Sequence, residues 1–351
     1  MLAPVRHIVP LTVIERERTL PVAGNVMARP DQKVSPTDVI AEANWAQEHI
    51  LIDVARTFGI TVNDADTLIH VKVGDRVSEQ TKIAAGRGIF PRTLHAEKPG
   101  RVVAAGGGQV LIETGETTLE LKAGMPGTVA EIISDYGAVI RTFGTLIQGV
   151  WGNGHIDTGL MLNLAEQPDD VLVASRLDVS LRGSIILACK VRDAETLLAA
   201  AELPARGLIL SSISPTLLPI AKKMHFPIVV IEGFGQIPMN PVAYKLLSTN
   251  EKREVTLNAE SYNRYSGTRP EVIIPLPISQ EPDLPIDVME LESGQTVRIC
   301  RQPNLGEIGT VSKIRPGLTT LPSGLRAQVA EIKLENGDEI LIPLENLEIV
   351  G

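Results

Sequence analysis

The stretch Pro126–Gly154, PGTVAEIISDYGAVIRTFGTLIQGVWGNG, consists of short apolar bursts cut by glycines. Bursts this short with these breakers between them read as β-strands and turns rather than helix. Its opening words return elsewhere. Pro126-Gly-Thr-Val echoes Pro99-Gly-Arg-Val, and more loosely Pro21-Val-Ala-Gly-Asn-Val. A second echo links VKVGDRVSEQTKIAAG at 71–86 with the Lys33–Ala41 region, where Val, a polar turn, Val and then Ile-Ala recur. Ser35-Pro36-Thr37-Asp38 also has the form of a helix-capping box, but the repeated wording favours strand.

Composition sharpens this. Hydrophobic residues make up 44% of the 351 positions, yet aromatics only 3%. Core volume must therefore come from Val, Ile and Leu, which favours strands and α/β packing. At this length two or three domains are expected. The formal charge of −9 argues against general affinity for nucleic acid or anionic lipid. Cys189 and Cys300 stand alone without metal-ligand spacing, so buried, reduced thiols are expected rather than a disulfide or zinc site. No apolar run approaches the ~18 residues of a membrane helix. The N-terminus lacks the pattern of a secretory signal, so a cytoplasmic location is expected.

In chain order, residues 1–20 read as an extended lead-in. A short helix is expected over 52–58, stopped by Gly59, and a second from Asn63. Between 70 and 165 the strand candidates are 72–77, 82–85, 101–104, 109–113, 119–122, 128–133, 138–142 and 145–150. Their density implies a compact sandwich or barrel. The words Val73-Gly74-Asp75-Arg76-Val77, Ile83-Ala84 and Pro99-Gly100-Arg101-Val102 resemble the barrel-sandwich hybrid of biotinyl and lipoyl domains, over about 71–113. That family's carriers hold a modifiable lysine at a hairpin tip. The corresponding segment, Arg87 to His95, has none, and Lys98 lies beside the returning strand. The resemblance therefore implies a non-carrier docking module, with no cofactor. Whether the three echoed units form one barrel or two is open at this level.

Trp151-Gly-Asn-Gly-His155-Ile-Asp157 admits two readings. His155 and Asp157 have the types of a base and its orienter. Gly-Asn-Gly is equally a tight turn.

From Asp169 apolar runs alternate with helical patterns at Asp193–Leu203, Pro215–His225 and Pro241–Leu247. This predicts a small parallel α/β domain. Ligands in such sheets gather at strand carboxyl ends. Those ends carry Cys189 and Lys190, then Ser211, Ser212 and Ser214, then Glu232, Gly233 and Gly235. The serines and glycines are the candidate ligand-binding residues. The run 208–233 also resembles phosphohistidine swivel domains, but Thr216 occupies the histidine position and His225 lies at the far end of the helix.

Residues 261–288 hold five prolines and read as a semi-rigid linker. Tyr262, Arg264, Tyr265 and Arg269 interleave aromatic and basic groups there. Gly294-Gln-Thr-Val297-Arg-Ile299, followed by Gly306-x-x-Gly309-x-Val311, resembles the KOW motif of SH3-like barrels in ribosomal and transcription proteins. Gln302 stands where that family often has glycine. The resemblance implies possible RNA or protein contact, with Arg298, Arg301, Lys313, Arg315 and Arg326 as candidates. Residues 289–351 carry six Lys and Arg against nine Asp and Glu, so general RNA affinity is not expected.

The expected organisation is a β-rich multidomain chain: a barrel-sandwich region at 1–165, α/β at 166–262, linker at 263–288 and a KOW-like barrel at 289–351. The function expected first is a non-catalytic scaffold that binds a protein partner. A ribosome- or RNA-associated factor and a ligand-binding or enzymatic α/β domain are the alternatives. Neither metal nor DNA is expected.

Overall fold

The computed structural model describes residues 1–86, 92–263, 267–278, 280, 282–334 and 336–351. The chain is β-rich and built from several sheets, with a multidomain-like organisation. Three sheets carry the architecture: one of thirteen strands, one of seven and one of five.

The thirteen-stranded sheet has a parallel part and an antiparallel part. Strands Ile156–Asn163, Ser184–Leu187, Gly207–Ile213 and Ile228–Phe234 lie side by side in sequence order, all parallel. Ser184–Leu187, Gly207–Ile213 and residues 228–233 are apolar runs buried on both faces, as inner parallel strands must be, while the first strand leaves Leu160 exposed. Helix Ala194–Glu202 and the short turn of helix at Leu218–Ala221 supply crossovers. One face packs Leu197, Ala200 and Ala221 against Ile186, Leu208 and Val230. The other packs Ala243 and Leu247, from helix Pro241–Thr249, against Ile185, Ile209 and Val229. The antiparallel part continues through Glu254–Asn258 and Glu271–Pro275 to the long strand Gly137–Gln148.

The first twenty residues are not a lead-in. Strand Ile8–Thr19 pairs along Gly137–Gln148, burying Ile8, Val13 and Ile14. Strand Leu2–Arg6 joins the seven-stranded sheet, where it lies between Val288–Glu290 and the C-terminal strand Leu347–Val350. Both chain ends thus share one sheet, and the Gly351 carbonyl accepts from the Ile8 amide at 2.8 Å.

The echoed units form two cores. Val34 and Ile40 of the first unit and Val129, Ala138 and Ile140 of the third share a cluster. Strand Gly127–Ile133 pairs with Lys33–Val34. The middle unit has its own cluster of Val71, Val77, Ile83, Val102 and Val110. It sits at the far end of a two-stranded ribbon. The 15-residue strand Val39–Asp53 runs out, and the 14-residue strand Gln109–Lys122 runs back along it. At ~3.3 Å per residue the ribbon spans about 45 Å.

Local chemistry explains the echo. Asp38 Oδ2 accepts from the Ser35 amide at 2.8 Å, and Asp75 Oδ2 accepts from the Lys72 amide at 2.8 Å. Each aspartate latches a four-residue turn between strands, so Ser35–Asp38 is a turn and not a helix start. The helix entering the distal unit, Val54–Phe58, is capped by Asp53 and stopped by Gly59 at φ +68°. The next, Val62–Asp66, is capped by Thr61.

Candidate functional site

A cleft of about 600 Å³ lies where the parallel strands end against the seven-stranded sheet. Glu232, at the end of strand Ile228–Phe234, lies on one side, and the loop from Gln236 to Pro241 forms a wall. Leu305–Ile308, Leu334 and Asn336 form the opposite side. The carboxyl ends of parallel strands are where α/β sheets commonly bind ligands.

The loop is held from several directions. Arg192 Nε donates to Gln236 Oε1 at 3.1 Å, and the Met239 amide donates to the Pro168 carbonyl at 2.9 Å. Asn240 caps helix Pro241–Thr249, accepting from the Val242 amide at 2.7 Å. Gly306 is fixed against Ile237, whose Cγ2 would lie 3.1 Å from an added Cβ. Three prolines in the lining, Pro168, Pro238 and Pro241, stiffen it and remove backbone donors.

Glu232 belongs to a buried charge network that joins the two sheets. Its Oε2 accepts from Arg6 Nη1 at 3.2 Å, and its Oε1 accepts from Arg6 Nη2 at 3.3 Å and the Asn240 amide at 3.1 Å. Arg298 Nη2 donates to the Glu232 carbonyl. Arg298 Nε lies 3.4 Å from Oε2, an ion-pair distance without a hydrogen bond. Glu348 completes the network, accepting from Arg298 Nη1 at 3.2 Å and Arg269 Nη2 at 3.3 Å. The Arg269 guanidinium also sits 4.9 Å from the Tyr262 ring centre. Burial opposes ionisation of Glu348, yet Arg6, Arg269 and Arg298 together hold its carboxyl below the usual range. With these partners the Glu232 side chain is taken up in holding the two sheets together. The cleft offers shape and apolar contact from Ile237, Met239, Leu305 and Ile308.

The predicted ligand residues fall around this cleft without lining it. Gly233 and Gly235 take φ of +149° and +107° where the chain turns from strand into the cleft loop. Ser211 is fully buried and its hydroxyl donates to the Cys189 carbonyl. Ser212 is also buried, beside Lys190 and Gly233 in register, and its Oγ has no hydrogen-bond partner. Ser214 Oγ lies 2.8 Å from Thr216 Oγ1, at the start of a helical turn. The serines therefore do not converge on one binding point. Burial pushes the Cys189 thiol up to about 12 and the Cys300 thiol up to about 11.

The five predicted contact cations separate. Arg298 is buried in the network, so it is not a surface contact. Arg315 pairs with Glu331 at 2.8 Å. Arg301, Lys313 and Arg326 are exposed. Arg264 and Tyr265 lie outside the described residues, as do 87–91 of the segment where a carrier lysine would stand. Lys98 pairs with Glu48 on the ribbon.

His155 and Asp157 both line a second cleft of about 340 Å³, with Arg18 and Lys122. The Asp157 carboxylate is taken by Arg206 at 2.9 Å, however. Asn153 holds the turn: its Oδ1 accepts from the Ile228 amide at 2.9 Å and its Nδ2 donates to the Phe226 carbonyl at 2.9 Å. Among the described residues no three His, Cys, Asp or Glu side chains gather as a metal-binding group. Nor is any helix among them long and apolar enough to cross a membrane.

Sequence reasoning missed Arg6, Glu232 and Glu348 as a unit. An arginine and a histidine set between Val5 and Ile8 in an otherwise apolar stretch were the available signal. No protein-family model matches the chain, and no curated protein matches it in sequence.

Proposed function

We propose that the chain is a non-catalytic assembly protein that presents its middle unit to a protein partner. The observation that carries this reading is the ribbon. A lobe, residues 54–108, packs its core onto Ile52, Val110 and Ile112 and lays its strand Gly100–Gly106 along residues 109–114, at the far end of two paired strands about 45 Å long. The frame behind it is locked by the buried Arg–Glu network. We read the lobe as a barrel-sandwich hybrid without the carrier lysine, and the seven-stranded sheet as a KOW-like, SH3-type barrel. In this reading both serve as docking modules inside the cell. The lobe leaves Val62 and Val73 exposed, as a contact surface requires.

The test compares the full chain with a variant in which 54–108 is replaced by a two-residue Asn-Gly turn, each used as bait in native extract. Partners retained by the full chain and lost with the lobe are expected. Identical captured sets from both baits would refute the reading.

The cleft favours a second reading, a binding site for a small, largely apolar ligand at the parallel strand ends. Its size and rigid proline walls support it. For an RNA-associated role the exposed cations are Arg301, Lys313 and Arg326.

A further inference from the structure

The outer edge of the seven-stranded sheet is strand Val288–Glu290, paired among the described residues on one side only, with Leu2–Pro4. The Val5 amide donates to the Asp287 carbonyl and the Leu291 amide to the Met1 carbonyl, so odd-numbered residues turn their backbone groups inward. The alternation of an antiparallel pair then turns the N–H groups of Val288 and Glu290 outward. Pro4 faces Val288 at a position without cross-strand bonds and weakens nothing.

On the edge strand itself all three side chains, Val288, Met289 and Glu290, are exposed. Ala3, Val5 and Leu291 point into the sheet's core. Leu2, Leu284, Ile286 and Val288 are 70%, 61%, 61% and 51% exposed. An apolar strip thus runs beside an open strand edge, a combination that natural proteins usually cover or blunt.

Charge decides what fits there. From Pro270 to Val297 the sequence has no Lys, Arg or His, while Asp283, Asp287, Glu290 and Glu292 are exposed. Asp287 is met by His7 Nε2 at 2.8 Å, and Glu290 is 3.6 Å from the terminal amine. A second copy of this edge would set acid against acid. The geometry points to a β-augmentation site for an extended, basic segment of a protein partner, with apolar residues alternating with Lys or Arg. Main-chain bonds at Val288 and Glu290 would hold it, Leu284, Ile286 and Val288 would meet its apolar side chains, and the carboxylates would select its charge. This contact is separate from the projecting lobe and should survive its removal.

The test uses a fluorescent heptapeptide of alternating lysine and valine, with its glutamate–valine counterpart as control, titrated against the full chain by anisotropy at low salt. Binding of the lysine peptide alone is expected, weakening as salt rises. Val288→Pro removes one outward N–H without touching the pairing to Leu2–Pro4, and should weaken binding by about tenfold. Asp287→Lys with Glu290→Lys should transfer preference to the acidic peptide. Lysine-peptide binding unaffected by both changes, or absent altogether, would overturn the proposal. So would a self-association of the chain abolished by Val288→Pro, which would assign the edge to a second copy. Because the peptide assay needs no lobe, its failure is distinct from failure of the bait comparison.

Discussion

Glu348 is where the balance of the buried network is most exposed to experiment. It is nearly solvent-free, and Arg6, Arg269 and Arg298 converge on it from the first strand, the proline-rich stretch and the strand Thr296–Ile299. Glu348→Gln leaves three buried guanidiniums with Glu232 alone. Breaking a buried pair from one side costs about 3–5 kcal/mol, because the remaining charges keep their desolvation cost. A lower urea midpoint at neutral pH is therefore expected. The pH dependence has a definite sign. The folded carboxyl titrates below its unfolded value of about 4.3, so its contribution is full above that value and fades as pH falls through the folded one. Wild-type melting temperature should drop steeply below about pH 4, and the Gln variant should show a shallower drop over the same window. Parallel melting profiles would show that Glu348 is not the titrating group.

At the scale of elements, strand Gly137–Gln148 carries Ile8–Thr19 on one edge and Glu271–Pro275 on the other. Gly144 lies where it crosses both. A Cβ there would stand 2.1 Å from the Ile274 carbonyl oxygen, which is backbone and cannot swing aside. Gly144→Ala should cost about 1–3 kcal/mol, the range for overpacking, despite alanine's better strand propensity. Chemical denaturation reads this directly, and a neutral result would mean that the two strands separate freely. The sequence pattern anticipated a strand at this place but split it in two, at 138–142 and 145–150, because Gly144 looks like a break. Gln109–Lys122 was divided for a related reason. Gly115-Glu-Thr-Thr118 has no apolar face to read, yet ribbon pairing needs only backbone bonds. Signals local to a few residues were legible: the Gly59 stop, the polar turns between the echoed valines, and the apolar parallel strands. The cleft was not, because its walls come from residues near 236 and 306, some seventy positions apart, that meet only in the folded chain.

The whole molecule depends on its first strand in a way that sequence order hides. Ala3 and Val5 bury in the core of the seven-stranded sheet, and Arg6 ties that sheet to Ile231, Glu232 and Gln148 of the larger one. Only a few side chains in Leu2–Arg6 are buried, so their alternation is too short to announce a strand. Removing residues 1–7 takes away one guanidinium that spans both sheets, worth about 3–5 kcal/mol when its partners stay buried. Burial of Val5 adds about 1.5–3 kcal/mol. Together these approach the entire stability of many domains, about 5–15 kcal/mol. Deleting the 54–108 lobe removes far more residues and uncovers Ile52, Val110 and Ile112 at the ribbon's end, but it cuts no network bond, since the two ribbon strands still pair with each other. The shorter deletion should therefore be the more damaging. The protein lacking 1–7 should lose most of its urea resistance and expose Cys189 and Cys300 to thiol reagents, while the lobe-deleted protein keeps both thiols protected. Equal protection in the two proteins would mean that the sheets hold together without Arg6, and that the network is a consequence of their packing rather than its cause.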